Sequence, residues 1–164
     1  GPVNIWYLES GVTDLEFPIN YLEVQQSFIT AIFENDNERS NRVIISALNS
    51  TLDKVRILDD VVFPTFNTIN ELYDRGRLGK TERVAMLTNL SEVIDLIKFN
   101  SQSDPTRHNA HAMFVASSED RIFLAKAGAL SLRILGWNSY YIGTVEQHID
   151  PFFDIDLQRY IMKV

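Results

Sequence analysis

The chain has 164 residues, of which 45% are apolar, and it carries a formal charge of −7 and no cysteine. This composition excludes wholesale disorder, disulfides, thiolate metal sites and a cysteine nucleophile, and the acidic balance argues against direct nucleic-acid binding. The apolar runs fall short of the roughly 18 residues of a membrane span, so we expect a soluble, cytoplasmic protein without membrane contact. Gly1-Pro2 resembles the remnant of proteolytic tag removal, and residues 1–19 are interpreted as this remnant plus an irregular lead-in.

Hydrophobic periodicity predicts four helices within residues 20–99, and their short connections favour an antiparallel four-helix bundle. The predicted helices cover residues 20–34, 38–49, 52–75 and 81–99. Ser50 or Thr51 is the expected cap of the third helix. Pro64 lies inside that helix, where it removes a hydrogen-bond donor and crowds the preceding turn, so a kink or break is expected there. Gly76 is the expected stop of the same helix.

The pattern changes after the fourth helix. Residues 100–110 are polar and contain proline, which predicts a linker, and residues 111–164 form the second predicted domain. This domain begins with a strand at 112–116, buried on both faces, then a helix at 119–135 and a strand at 138–142 closed by Gly143. The two strands should be parallel neighbours, and residues 160–164 are a candidate third strand. The predicted fold is mainly α with α/β: a four-helix bundle cap followed by a partial parallel-sheet, Rossmann-like βαβ unit.

The motifs that bear on chemistry do not predict an enzyme. Residues 79–81 (Gly-Lys-Thr) invite a phosphate-loop interpretation, but the first glycine of that motif would fall on Asp74, and the segment follows a predicted helix where the motif requires a strand. The histidines, His108, His111 and His148, meet no recognised metal-ligand spacing, and we predict no metal site. No serine-centred nucleophile elbow is present.

Three aromatic residues follow helical spacing around the proline of the third helix. They are Phe63, Phe66 and Tyr73. Such a stripe is typical of a bundle core, and the alternative is that it faces a bound ligand.

Several local sequences occur in an order known from one family. Pro64 stands nine residues before Tyr73, which is followed by Arg75-Gly76, and a later helix ends in Gly136-Trp137 before a strand that ends at Gly143. Over about residues 20–145 these parts resemble the cobalamin-binding module of methionine synthase, corrinoid carriers and MerR-type light-responsive repressors. The resemblance implies a helical cap on a Rossmann-like (flavodoxin-like) domain, whose C-terminal half we expect to be absent.

The positions at which that family contacts cobalamin have changed. Its Asp-x-His-x-x-Gly motif falls on Glu119, Arg121 and Leu124, and arginine cannot replace the axial histidine because its guanidinium stays protonated and offers no lone pair. Tyr73 replaces the cap tryptophan, and residues 83–84 replace a Glu-His pair. We therefore predict no bound cofactor, neither cobalamin nor haem. The predicted ligand-binding cleft, between cap and sheet, is lined by Tyr73, Arg83, Val84, Glu119, Arg121 and Leu124.

Three functions are considered, of which the first two follow from this resemblance, and the first is our prediction. It is a non-enzymatic sensory or regulatory domain in signal transduction or transcription regulation, acting through a ligand other than cobalamin or a protein partner. Arg83 and Arg121 would favour an anionic ligand, or would pair with Glu119 as structural ion pairs. The second is a corrinoid carrier domain of a methyltransferase. The third is a protein-interaction module without ligand, which self-associates into a dimer through unpaired strand edges.

Overall fold

A computed structural model of the chain describes residues 21–50, 53–101, 106, 109–145 and 159. These residues are mainly helical and include a small two-stranded parallel sheet, which confirms the predicted mixture of α and α/β structure. The chain divides into two compact units, Gly1–Asn100 and Ser101–Val164. No helix within the described ranges is long and apolar enough to cross a membrane. The predicted lead-in, the candidate strand at 160–164 and two of the histidines, His108 and His148, lie outside the described residues.

The first unit is helical, and its helices follow the predicted ones closely. They are α1 (Tyr21–Phe33), α2 (Asn37–Leu48), α3 (Lys54–Ile57), α4 (Phe63–Asp74) and α5 (Lys80–Phe99). Helix α1 packs against α2, α4 and α5, and α5 also packs against α2 and α4. The apolar side chains at helical spacing meet in one buried core, where burial removes them from water. Its most deeply buried large members are Phe28, Ile32, Ile44, Ile57, Leu58, Val61, Ile69, Leu90, Ile94 and Ile97.

The irregularity predicted at Pro64 lies immediately before it. A π-helical turn, Leu58–Val62, joins α3 to α4, and the backbone N–H of Phe63 donates to the carbonyl of Leu58, five residues earlier. Because proline has no N–H and its ring crowds the carbonyl four residues back, a wider turn accommodates it without ending the helix. The buried Thr65 hydroxyl donates to the Val61 carbonyl at 2.9 Å on the inner side of this segment.

Side chains at the helix ends set the first unit's turns. Asn35 adopts φ +56° after α1, and Asp36 caps α2 by accepting the Arg39 N–H at 3.0 Å. The Asn35 side chain also accepts from the buried Asn89 amide of α5 at 3.1 Å. The predicted cap of the third helix is wrong: Asp53, not Ser50 or Thr51, precedes α3 and accepts the backbone N–H two residues on at 2.9 Å. Asp and Ser cap equally well, so local preference alone does not choose between them.

The second unit contains a strand–helix–strand crossover. Strand β1 (His111–Ala116) leads through a 3₁₀ turn (Glu119–Arg121) into α6 (Ile122–Ile134), and β2 (Asn138–Thr144) follows. The strands are parallel, as predicted, and α6 packs against both. The prediction that β2 ends at Gly143 is wrong, since the strand continues to Thr144. The pairing register with β1 shifts by one residue at this point. Gly143 has φ +109°, a conformation that accommodates this irregularity and that a side chain would disfavour.

Strand β1 is less buried than its apolar sequence predicts. Only Ala116 is buried, while Met113, Phe114 and Val115 are half-buried, so the expectation of burial on both faces is wrong. Phe114 faces α6, since a Cβ added at Gly128 would lie 2.7 Å from its ring. Side chains alternate along a strand, so Met113 points to the opposite face.

Candidate functional site

The connection between α4 and α5 positions three of the predicted site residues. Gly76 adopts φ +71° after α4, and the Arg77 N–H donates back to the Leu72 carbonyl at 2.8 Å. This pattern is a glycine-terminated helix end, as the sequence predicted. The Glu82 carboxylate then accepts the Gly79 N–H at 3.1 Å, at the start of α5. The segment at 79–81 therefore follows a helix and a tight turn, unlike a phosphate loop.

Arg83 is held between two residues of α4. Its Cζ lies 5.0 Å from the centre of the Tyr73 ring, and its Nε donates to Asn70 Oδ1 at 3.0 Å. Tyr73 is 36% exposed and the adjacent Val84 is 47% exposed, whereas Arg83 is half-buried. We call Asn70, Tyr73, Arg83 and Val84 the elbow face. It combines a guanidinium beside an aromatic ring with an exposed aliphatic side chain, and tyrosine and arginine are residue types enriched in binding hot spots.

The aromatic stripe of α4 continues this face toward the start of the helix. Phe63 and Phe66 are half-buried and share the helix side of Asn70 and Tyr73, because the four residues follow one another at intervals of three or four. The buried side of α4 consists of Thr65 and Ile69. The three predicted aromatic residues therefore border the core without belonging to it.

Several charges surround the elbow face. Arg75 pairs with Glu71 at 2.7 Å along α4, and both side chains are largely exposed. Arg77 and Lys80 are exposed in the turn and at the start of α5. Asp74 is also exposed and contributes the opposing charge at the end of α4. With Arg83 and Glu82 included, residues 71–83 hold four basic and three acidic side chains, a net charge of +1 on a chain that carries −7.

The other predicted site residues lie together in the second unit. Glu119 and Arg121 are exposed at the two ends of the 3₁₀ turn, and Leu124, 37% exposed, lies in the first turn of α6. Within the described part of the chain, neither Glu119 nor Arg121 has an ion-pair partner. The structure brings the predicted residues together as two groups, one in each unit. The cleft that would combine them, and the pairing of Arg83 with Glu119, remain predictions.

The part of the chain that the structure describes contains no cluster of potential metal ligands. Across those ranges, no three His, Asp or Glu side chains are placed to hold one ion. His111 is exposed at the start of β1.

Sequence reasoning missed two features. Asn70 orients Arg83, and its only signal is its position three residues before Tyr73 on the same helix face. The second feature is a groove of about 540 Å³ between α1 and α2. Two valines, Val24 of α1 and Val43 of α2, are half-buried along it. Its lining residues are Glu23, Val24, Ser27, Arg39, Arg42, Val43, Ser46 and Ala47.

No protein-family model matches the chain, and no curated protein sequence matches it.

Proposed function

We propose that this chain is a non-enzymatic sensory or regulatory domain, built on the plan of the cobalamin-binding module and acting without cobalamin. The observation that carries the proposal is the order of the two units: a helical unit followed by a parallel strand–helix–strand crossover. In this proposal the first unit is a four-helix, cap-like bundle and the second is a partial Rossmann-like domain. Open parallel sheets bind ligands at the carboxyl ends of their strands, which is where such a cap would act.

The residues at the expected metal-contacting positions support a ligand other than cobalamin. Arg121 ends the 3₁₀ turn before α6, at the position that would supply the axial histidine. A guanidinium keeps its proton at every relevant pH and has no lone pair for cobalt. Leu124 places a branched side chain where the family has glycine, which would obstruct close approach of a cofactor.

The mechanism we propose is a shift between conformations that a ligand or protein partner stabilises unequally. A binder with higher affinity for one conformation increases the population of that conformation, to an extent set by the difference between its affinities for the two. In this proposal, the change of conformation is passed to an effector or to a second copy of the chain. This step needs no covalent chemistry, in keeping with a non-enzymatic domain.

The test is an absorption spectrum of the purified protein, before and after incubation with hydroxocobalamin or haem, followed by gel filtration. We expect no corrinoid band and no Soret band in the protein fraction. A corrinoid band retained through gel filtration would refute the proposal and favour a corrinoid carrier. A Soret band that disappears in His111→Ala would instead establish a haem protein and refute the proposed absence of a cofactor.

A ligand-free interaction module is the second candidate. The observation that favours it is the size of the described sheet: it has two strands, and sheets of two strands are marginal without further packing. Pairing with a strand of a second chain would extend such a sheet. Light scattering after gel filtration tests this candidate, because a monomer at every concentration would exclude self-association.

A further inference from the structure

We propose that residues 3–8 of this chain (Val-Asn-Ile-Trp-Tyr-Leu) bind in the groove between α1 and α2 of the first unit. This contact lies outside the proposed sensory function and does not depend on it. Its consequence is competition: a separate protein reaches the groove only by displacing a segment that belongs to the chain itself.

The groove has apolar side chains that the helices of the first unit leave partly exposed. Val24 of α1 and Val43 of α2 are half-buried along it, and Ala47, also in the lining, is buried. The groove volume is about 540 Å³. Clefts of about 300–1,000 Å³ hold drug-sized ligands, so this groove has room for one or two large side chains. Covering the valines removes apolar surface from water, which is favourable.

The charges around the groove favour an uncharged occupant. Arg42 pairs with Glu38 at 2.8 Å, and Arg39 lies 3.4 Å from Glu34, all four side chains being exposed. Glu23 is the remaining charged residue of the lining. Two arginines and three carboxylates nearly balance, and an ion loses hydration when it is buried without a partner. Apolar contact is therefore the interaction that this groove offers.

Residues 3–8 lie outside the described residues, and their sequence meets this requirement. Five of the six side chains are apolar or aromatic and none is charged. Trp6 and Tyr7 are the largest of them, and aromatic side chains bury about 150–250 Å² each when they pack. Residues 9–20, which follow, contain three carboxylates together with Gly11 and Pro18, a composition typical of a connection.

The described chain begins beside the groove. Helix α1 starts at Tyr21, two residues before Glu23, and Arg56 of α3 lies over the Tyr21 ring at 3.8 Å. The twelve residues between Leu8 and Tyr21 span up to about 40 Å, whereas the α1 side of the groove, Glu23 to Ser27, is about 6 Å long. Such a short tether gives an effective concentration on the order of millimolar, so a contact with a dissociation constant of about 0.1 mM keeps the groove about 90% occupied.

The experiment measures the environment of Trp6 in the full chain with Trp137→Phe, which leaves Trp6 as the single tryptophan. We expect blue-shifted emission and weak quenching by acrylamide, because the indole packs against the valines and is removed from water. Val43→Glu places a carboxylate in the groove, and Ser46→Glu does so at an exposed position where folding is not at risk. A tenfold weaker contact lowers occupancy from about 90% to about 50%, so the accessible fraction of Trp6 should rise about fivefold in both variants.

Ile45→Glu is the matched control, since Ile45 lies on the same helix, is 42% exposed and is absent from the groove lining. It should leave the quenching of Trp6 unchanged, and circular dichroism should show that every variant keeps its helical content. Full exposure of Trp6 before any groove substitution would overturn the proposal and leave the groove to a separate partner. Quenching that is equal with and without Ser46→Glu, or an equal rise in Ile45→Glu, would also overturn it. If dilution alone exposes Trp6, the segment binds a second copy of the chain, which refutes the intramolecular contact.

Discussion

Replacement of Gly128 by alanine tests how closely α6 approaches β1. Gly128 lies within α6, where glycine is unfavourable, and its backbone rests on the ring of Phe114. The Cβ of an alanine would lie 2.7 Å from Phe114 Cε1, 3.1 Å from Cδ1 and 3.4 Å from Cζ. Carbon atoms pack at about 3.5–4.0 Å, so the ring must move by almost 1 Å or the helix must lift.

Two opposing effects decide the sign of the change in stability. Alanine stabilises a helix interior by about 1 kcal/mol relative to glycine. An extra methyl group in a packed site costs about 1–3 kcal/mol through displaced side chains. We therefore expect Gly128→Ala to destabilise the second unit by about 1 kcal/mol. When Phe114→Val removes the ring, the same alanine should stabilise by up to about 1 kcal/mol, so the sign reverses.

The assay is urea unfolding of the four chains of this double-mutant cycle. The protein has two tryptophans, and a Trp6→Phe background leaves only Trp137, which lies three residues after the end of α6 and reports on the second unit. Met113→Val is the matched control for Phe114→Val, since Met113 lies on the opposite face of the same strand. Gly128→Ala should remain destabilising in the Met113→Val background.

The interaction free energy between the substitutions at Gly128 and Phe114 shows whether α6 and β1 are in contact. If Gly128→Ala stabilises the unaltered chain, or if its effect is the same with and without the Phe114 ring, helix and strand do not meet as described. If the effect of Gly128→Ala on stability also changes sign in the Met113→Val background, the reversal does not depend on the Phe114 ring and reflects a general loss of packing in the second unit.

Three further substitutions have signs that follow from single contacts, each measured by urea unfolding. Ser139→Ala should stabilise by about 1 kcal/mol, because the Ser139 hydroxyl is buried and has no hydrogen-bond partner among the described residues; a loss of stability would reveal one. Gly136→Ala should destabilise by about 1–2 kcal/mol, since Gly136 adopts φ +97°, and an unchanged midpoint would contradict that conformation. Asp36→Ala should cost about 1 kcal/mol through loss of the α2 cap, whereas the exposed Asp59→Ala should change stability by less than about 0.5 kcal/mol.

The helices and strands were accessible from the sequence because their signals are local. Apolar spacing predicts α1 and α5 to within a residue or two, and the strand–helix–strand order predicts a parallel pair. Gly76 and Gly136 mark helix ends because a left-handed residue is needed there and glycine adopts it without steric cost. Each of these features depends on residues close together in the chain.

The choices that remained open depend on contacts between distant elements. Asp53 caps α3 although Ser50 and Thr51 have similar capping preference, so residue type alone did not locate the start of this helix. The exposure of Tyr73 follows from how α4 packs. Arg83 acquires its orientation only when α5 places it beside Tyr73 and Asn70 of α4. Residue type and spacing determine which elements form, whereas the packing of those elements determines which side chains remain available for binding.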